Sequence, residues 1–138
     1  MACDPTVVED RLCIAVVGAH MRDLPLNKEL AELGGRFERA DRTAPLYRFF
    51  TLAGGPPHRP GLVRVSEDGA AIELEVWSLP SEKVGAFLRR IPAPLGLGKV
   101  SLADGSTVVG FLCESHAIQG ARDITHLGGW RSYLKTVG

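Results

Sequence analysis

Three groups of residues carry useful side chains at useful spacing. The first lies in AVVGAHMRDLPLN, residues 15–27, where an apolar run meets Gly18 and Ala19 and an imidazole, His20, follows at once. A small-residue turn after a strand lets a ligand approach the backbone, and its N–H groups can form a nest for an anion. An imidazole there can donate a proton or bind a carboxylate near neutral pH. On a plain surface loop the same histidine would do nothing. The second group is IELEVW, residues 72–77. With a strand's period of two, Ile72, Leu74 and Val76 share one face, and Glu73, Glu75 and Trp77 share the other. Inside a barrel such a carboxylate has a raised pKa and becomes a usable acid or base. On a half-exposed sheet, the commoner setting for strict alternation, it is solvated. The third is CESHAIQGARDITHLGGW, which gathers Glu114, His116, Arg122, Asp123 and His126 at a strand end and the loop after it. Two histidines and a carboxylate suggest a metal, but their spacing matches no standard zinc pattern, so neither metal nor cofactor is expected. Arg122 and Asp123 can equally bond backbone. RTAPLYR, residues 42–48, adds Arg42, Tyr47 and Arg48. Guanidinium groups grip a carboxylate bidentately, or they simply face solvent.

Positioning these groups requires a folded chain, and the composition supplies one. The 138 residues are 45% apolar and 23% charged, which fits one domain with a real core. Lys plus Arg equals Asp plus Glu, 16 each, so no general field favours nucleic acid or an anionic membrane. No apolar run has the length of a membrane span, and MACDPTVVEDR lacks the basic start of a secretory signal. Cys3, Cys13 and Cys113 fit a reducing cytosol, with Cys13 and Cys113 as core thiols. A cytoplasmic protein is expected, with residues 1–10 as a loose arm and 11–138 as a single domain.

RLCIAVVG reads as a central strand covered on both faces. Asn27 reads as the cap of a short helix that Gly34 and Gly35 stop. Two strands follow, broken near Ala44-Pro45. Residues 62–79 read as a hairpin turning at Asp68-Gly69. A helix follows from Ser81, with Val84, Phe87, Leu88 and Ile91 as its apolar stripe. A second hairpin turns at Asp104-Gly105, and GGWRSYL reads as a terminal helix packing Trp130 and Leu134. No GxSxG, Walker loop, GxGxxG, HExxH or CxxC is present. The order predicts an α+β domain whose strands curl into a small barrel with helices outside.

Several stretches, in order, resemble the C-terminal domain of allophanate hydrolase: VVGAHMRDLPLN, GRFERADRTAPLYRFFTL, PGLVRV, AAIELEVWSLP, IPAPLGLGKVSLADGSTVVGFLCE and GARDITHLGGWRSYL. The resemblance covers about residues 11–135. It implies a γ-glutamylcyclotransferase-like fold, a small mixed β-barrel flanked by helices. The resemblance further implies a division of labour in which an N-terminal amidase domain with a Ser–Ser–Lys triad hydrolyses allophanate and the C-terminal domain decarboxylates the product, N-carboxycarbamate. No amidase segment is present in the 138 residues, and the initial Met favours a free-standing relative over an excised domain. The broader fold family binds substrate on a Tyr-Gly-Ser-Asn-like loop, matched here by Val17-Gly18-Ala19-His20. Its catalytic glutamate has no counterpart, since SEKVGAFLRRIPAPLG offers only Glu82 at its start. Cyclotransferase activity is therefore not expected.

The resemblance and the residues together suggest an acid-assisted decarboxylation without a cofactor. His20 delivers the proton, and Glu75 or Glu114 orients the imidazole. Gly18, Ala19, Met21, Asn27, Tyr47, Arg48 and His116 line the substrate. The expected ligand is a small dicarboxylate, an amidase subunit or domain is the expected partner, and a homodimer is compatible. The competing reading is a non-catalytic module that binds a small dicarboxylate or docks an amidase.

Overall fold

A computed structural model describes residues 10–137. Most of the arm expected over residues 1–10, Cys3 included, lies outside the described residues. The first strand, β1 (Arg11–Val16), is apolar nearly throughout and occupies the middle of a five-stranded sheet. It pairs antiparallel with β5 (Glu73–Pro80) and parallel with β7 (Thr107–Cys113). Outside these run β2 (Arg36–Arg42) beside β5 and β6 (Leu95–Ser101) beside β7. The two edges meet at one end. Thr43 bridges Leu102, Ala44 N–H donates to Ser101 O at 2.9 Å, and Ala103 N–H donates to Arg42 O at 3.0 Å. These bonds satisfy edge groups that would otherwise be open and give the sheet its barrel character.

A second sheet of three strands is formed by β3 (Tyr47–Thr51), flanked by β4 (Pro60–Arg64) and by the short β8 (Arg122–Asp123). The described residues also form three short α-helices, α1 (Asn27–Glu32), α2 (Val84–Arg89) and α3 (Trp130–Val137). The core joins both sheets to α1 and α2. Ile14, Val16, Leu30, Tyr47, Phe49, Leu62, Ile72, Leu79 and Phe87 are fully buried in it.

The hairpin expected over 62–79 does not form. Its first strand, β4, joins β3 in the small sheet, and its second, β5, inserts between β2 and β1. Six consecutive residues of β5, Leu74 to Leu79, are buried, and a slot paired on both sides buries more than a hairpin edge does. The Asp68-Gly69 turn instead tucks under the start of β3, where Tyr47 and Ala70 exchange backbone hydrogen bonds. A Cβ on Gly69 would lie 2.6 Å from the Leu46 carbonyl carbon, so only glycine permits this approach. The hairpin around Asp104-Gly105 forms as expected, pairing β6 with β7. So does the terminal helix, with Trp130 buried at its start.

Smaller departures have local causes. Ser81 opens a 3₁₀ turn rather than capping a helix, and Leu88 is 48% exposed, so the α2 stripe reduces to Phe87 with Val84 and Ile91 partly buried. Cys13 is disulfide-bonded, which corrects its reading as a core thiol, while Cys113 is free and buried. No helix among the described residues is long and apolar enough to cross a membrane.

Candidate functional site

His20 stands where β1 leaves the sheet. The chain turns there through Met21 N–H donating to Gly18 O at 3.0 Å, and Leu26 N–H closes back onto Ala19 O at 2.9 Å. Asn27 is not a helix cap. It is the first residue of α1, and its Nδ2 donates to His20 O at 2.8 Å, fixing the turn from behind. Gly18 is required by packing, since a Cβ there would lie 2.4 Å from Pro60 Cδ at the start of β4.

The His20 ring is 7% exposed and is held on three sides. Phe87 meets it edge-on at 5.2 Å and Phe111 lies tilted at 5.0 Å, an arrangement that fixes its plane. Its Nε2 is 2.8 Å from Glu29 Oε1 on the first turn of α1. A carboxylate accepts that bond, so the proton of the neutral ring sits on Nε2. Among the described residues Nδ1 has no hydrogen-bond partner, and it is the nitrogen left for a ligand. Burial pushes the His20 pKa below its usual 6.5; the hydrogen bond and charge of Glu29 pull it up, and the Arg59 guanidinium pushes it down again.

A cavity of about 20 Å³ adjoins the ring, with Gly18, Ala19, Arg59, Pro60, Leu62 and Phe111 in its wall. That is room for about one water-sized group. Arg59 Nε is buried and hydrogen-bonds to nothing among the described residues. An unpaired buried donor costs about 1–3 kcal/mol, more for a charged group. A second cavity of about 340 Å³ lies elsewhere, between Met21, Arg22, Glu73, Glu75, Trp130 and Arg131.

The other expected residues scatter. Glu75 is buried at 3% exposure, but it borders the second cavity and does not bond His20, so it is not the carboxylate that orients the imidazole. It accepts bonds from Arg22 N–H at 2.8 Å, Trp77 Nε1 at 3.1 Å and Arg131 Nη2 at 2.9 Å. Burial alone would raise its carboxyl, yet these donors and the Arg131 charge outweigh burial and hold it below its usual 4.5. Met21 lines the same second cavity. Glu114 and His116 are exposed, 3.9 Å apart, and neither orients the imidazole. Tyr47 is fully buried and its hydroxyl accepts Ser101 N–H at 2.9 Å, so it is a strut of the core rather than a ligand contact. Arg48 is committed to Asp123 at 2.6 Å and to Asp68 O at 2.8 Å. Among the described residues no three His, Cys, Asp or Glu side chains converge to hold a metal ion.

Sequence reasoning missed Glu29 and Arg59. Glu29 is nine residues from His20, a separation set by a loop rather than by any helix or strand period. Arg59 sits in the stretch GGPPHRPG, and its signal was a lone arginine next to the proline that opens β4.

A mixed sheet closing on itself, with few helices and a strand-end turn at its mouth, defines the γ-glutamylcyclotransferase-like class. A solved γ-glutamyl cyclotransferase shares this fold at a TM-score of 0.54 and 12% identity, over 75% of this chain and 67% of that one. Within the class the chain belongs to the allophanate hydrolase C-terminal domain family, whose model matches residues 12–135. Urea amidolyase of Saccharomyces cerevisiae is 41% identical over 126 residues, covering 88% of this chain and 7% of that protein. The chain thus spans less than a tenth of that relative's length. The solved allophanate hydrolase of Kluyveromyces lactis superposes with a TM-score of 0.89 at 37% identity, over 92% of this chain and 21% of that one. A solved protein described as specific to uropathogenic E. coli is 42% identical, with a TM-score of 0.85, over 91% of this chain and 96% of its own.

Proposed function

We propose that this domain catalyses loss of carbon dioxide from N-carboxycarbamate, the product of allophanate deamidation, as a late step of urea breakdown. The observation that carries the reading is His20, a buried imidazole with one nitrogen fixed by Glu29 and the ring lining a cavity that Gly18 and Ala19 also wall. Membership of the allophanate hydrolase C-terminal family supports the same substrate.

The substrate carries two carboxylates on one nitrogen. Protonating that nitrogen makes it a good leaving group. The C–N bond then breaks with its electron pair staying on nitrogen, and carbon dioxide departs to leave carbamate. His20 supplies the proton through Nδ1–H. In the free site burial keeps the ring mostly neutral. An arriving dianion attracts the imidazolium form, so the proton is taken up as substrate binds. Glu29, held on α1, keeps Nε2 and the ring plane in place and offsets the charge that forms. A positioned proton transfer of this kind typically contributes about 10²–10⁴-fold.

The test supplies allophanate to a separate amidase domain and measures carbon dioxide release with and without this chain. The expected result is faster release than with amidase alone, lost on His20→Gln, a variant whose amide can still reach Glu29. No acceleration at any concentration of the chain would overturn the proposal in favour of a non-catalytic docking or binding module.

A further inference from the structure

The Arg59 side chain makes no hydrogen bond or ion pair among the described residues, although the residue's carbonyl accepts from Leu52 N–H at 3.0 Å. Its Nε is buried and unpaired, and no carboxylate among those residues meets its guanidinium. It also stands at a junction. Arg59, Pro92 and Leu95 line the small cavity beside His20, and the same three residues line an outer cleft of about 230 Å³ between residues 52–57 and 92–95. The two spaces therefore adjoin at these residues, an inner and an outer end with a cation at the waist between them. The inner end is apolar apart from His20 and Arg59, with Leu62, Phe111 and Leu112 in its wall. The half-buried guanidinium has its Nε cut off from water and unpaired among the described residues, and a small anion would satisfy its charge with charge-assisted bonds.

We infer that Arg59 is the carboxylate anchor of the site and decides which carboxylate the substrate keeps. This rests on the decarboxylase reading above and names the group that orients its substrate. Substrate enters through the outer cleft. One carboxylate pairs with the Arg59 guanidinium and stays there. The other lies toward Phe111 and Leu112, where an apolar wall favours dispersal of its charge as carbon dioxide forms. The bridging nitrogen then receives the proton from His20 Nδ1. The C–N bond breaks, its electron pair remains on nitrogen, and carbamate stays on Arg59 until release. The inner cavity holds only a water-sized group, so the anchored ligand spans the waist and extends into the outer cleft.

Malonate tests the anchor apart from the chemistry, because it carries two carboxylates on one atom and is stable. Binding is measured by titration calorimetry on the full chain and on Arg59→Gln, Arg59→Lys and His20→Gln, with thermal unfolding of each as a folding control. The expected result is a loss of affinity of about 10- to 100-fold in Arg59→Gln, the worth of a charged hydrogen bond. Arg59→Lys falls between Gln and wild type, because an ammonium keeps the charge without the fork. His20→Gln loses less affinity than Arg59→Gln, because it removes the charge gained on binding and leaves the anchor. Wild-type affinity in either Arg59 variant, or no malonate binding by the wild type, would overturn the anchor. Turnover separates the two readings. Arg59-dependent malonate binding without carbon dioxide release sinks the decarboxylase and leaves the anchor standing. Release that needs His20 but is unchanged in Arg59→Gln does the reverse.

Discussion

The chemistry of this domain turns on how little space surrounds single residues. Gly18 faces Pro60 so closely that one added methyl must displace either the turn or the start of β4, next to Arg59. Gly18→Ala is expected to cost about 1–3 kcal/mol, the usual range for overpacking, and to impair turnover beyond that loss of stability. Chemical denaturation and carbon dioxide release on the same preparation check both parts. His20 makes a second prediction, with a definite sign. Its folded pKa lies below the usual 6.5, so between those two values the unfolded chain takes up a proton that the folded chain refuses. Stability is then full above about 6.5 and falls as pH drops through that window. His20→Gln should flatten this part of the profile, which melting temperature against pH in wild type and variant measures. Of the residues at this site, His20, Gly18 and Ala19 were legible from their place at a strand end. Glu29 and Arg59 were not, because partners brought together by loops leave no spacing to read.

Elements decided which carboxylates are available. Alternation in IELEVW pointed to a face shared by Glu73, Glu75 and Trp77, and the sheet gives that face two different surroundings. Glu73 is exposed at the start of β5, whereas Glu75 sits deeper under the Arg22, Trp77 and Arg131 donors. Glu75 holds the chain after β1 to α3, because it accepts from both Arg22 and Arg131. Its folded pKa is depressed below 4.5, so its contribution is present above that value and is lost as pH falls through the folded value. Glu75→Gln keeps the shape and removes the charge. It should destabilise the domain at pH 7 and remove part of the decline below about pH 4.5, while malonate affinity at the His20 cavity stays within twofold. The hairpin expected at Asp68-Gly69 shows why such elements mislead. The turn chemistry was read correctly as a turn. What it joins depends on the slot between β1 and β2, which only the assembled sheet offers.

At the scale of the whole molecule, the C-terminal segment ties the two sheets together. β8 pairs with β3, Glu73 N–H donates to Gly128 O at 2.8 Å, and Trp130 packs edge-on against Phe49 at 6.5 Å. Trp130 is 2% exposed and stacks on Tyr133 at 4.9 Å. Trp130→Ala should cost about 3–5 kcal/mol and loosen both sheets in one transition. Hydrogen exchange would show it as lost protection in β3 and β5 together; loss confined to α3 would contradict this coupling.

What the amino-acid sequence determined by itself was local. Apolar runs, Asp–Gly turns and the small-residue stop after β1 specify elements and put an imidazole at a strand end, because these depend on neighbours along the chain. Its resemblance to a known family carried the fold, since long motifs in order specify a topology that periodicity cannot. Tertiary structure alone decided that β4 and β5 part into different sheets, that Glu29 rather than Glu75 or Glu114 holds His20, and that Arg59 rather than Arg48 stands beside it with no side-chain partner among the described residues. The physical reason is the same in each case. Burial and pairing are competitions among residues distant in sequence, and their outcome depends on which slots the closed sheet leaves open.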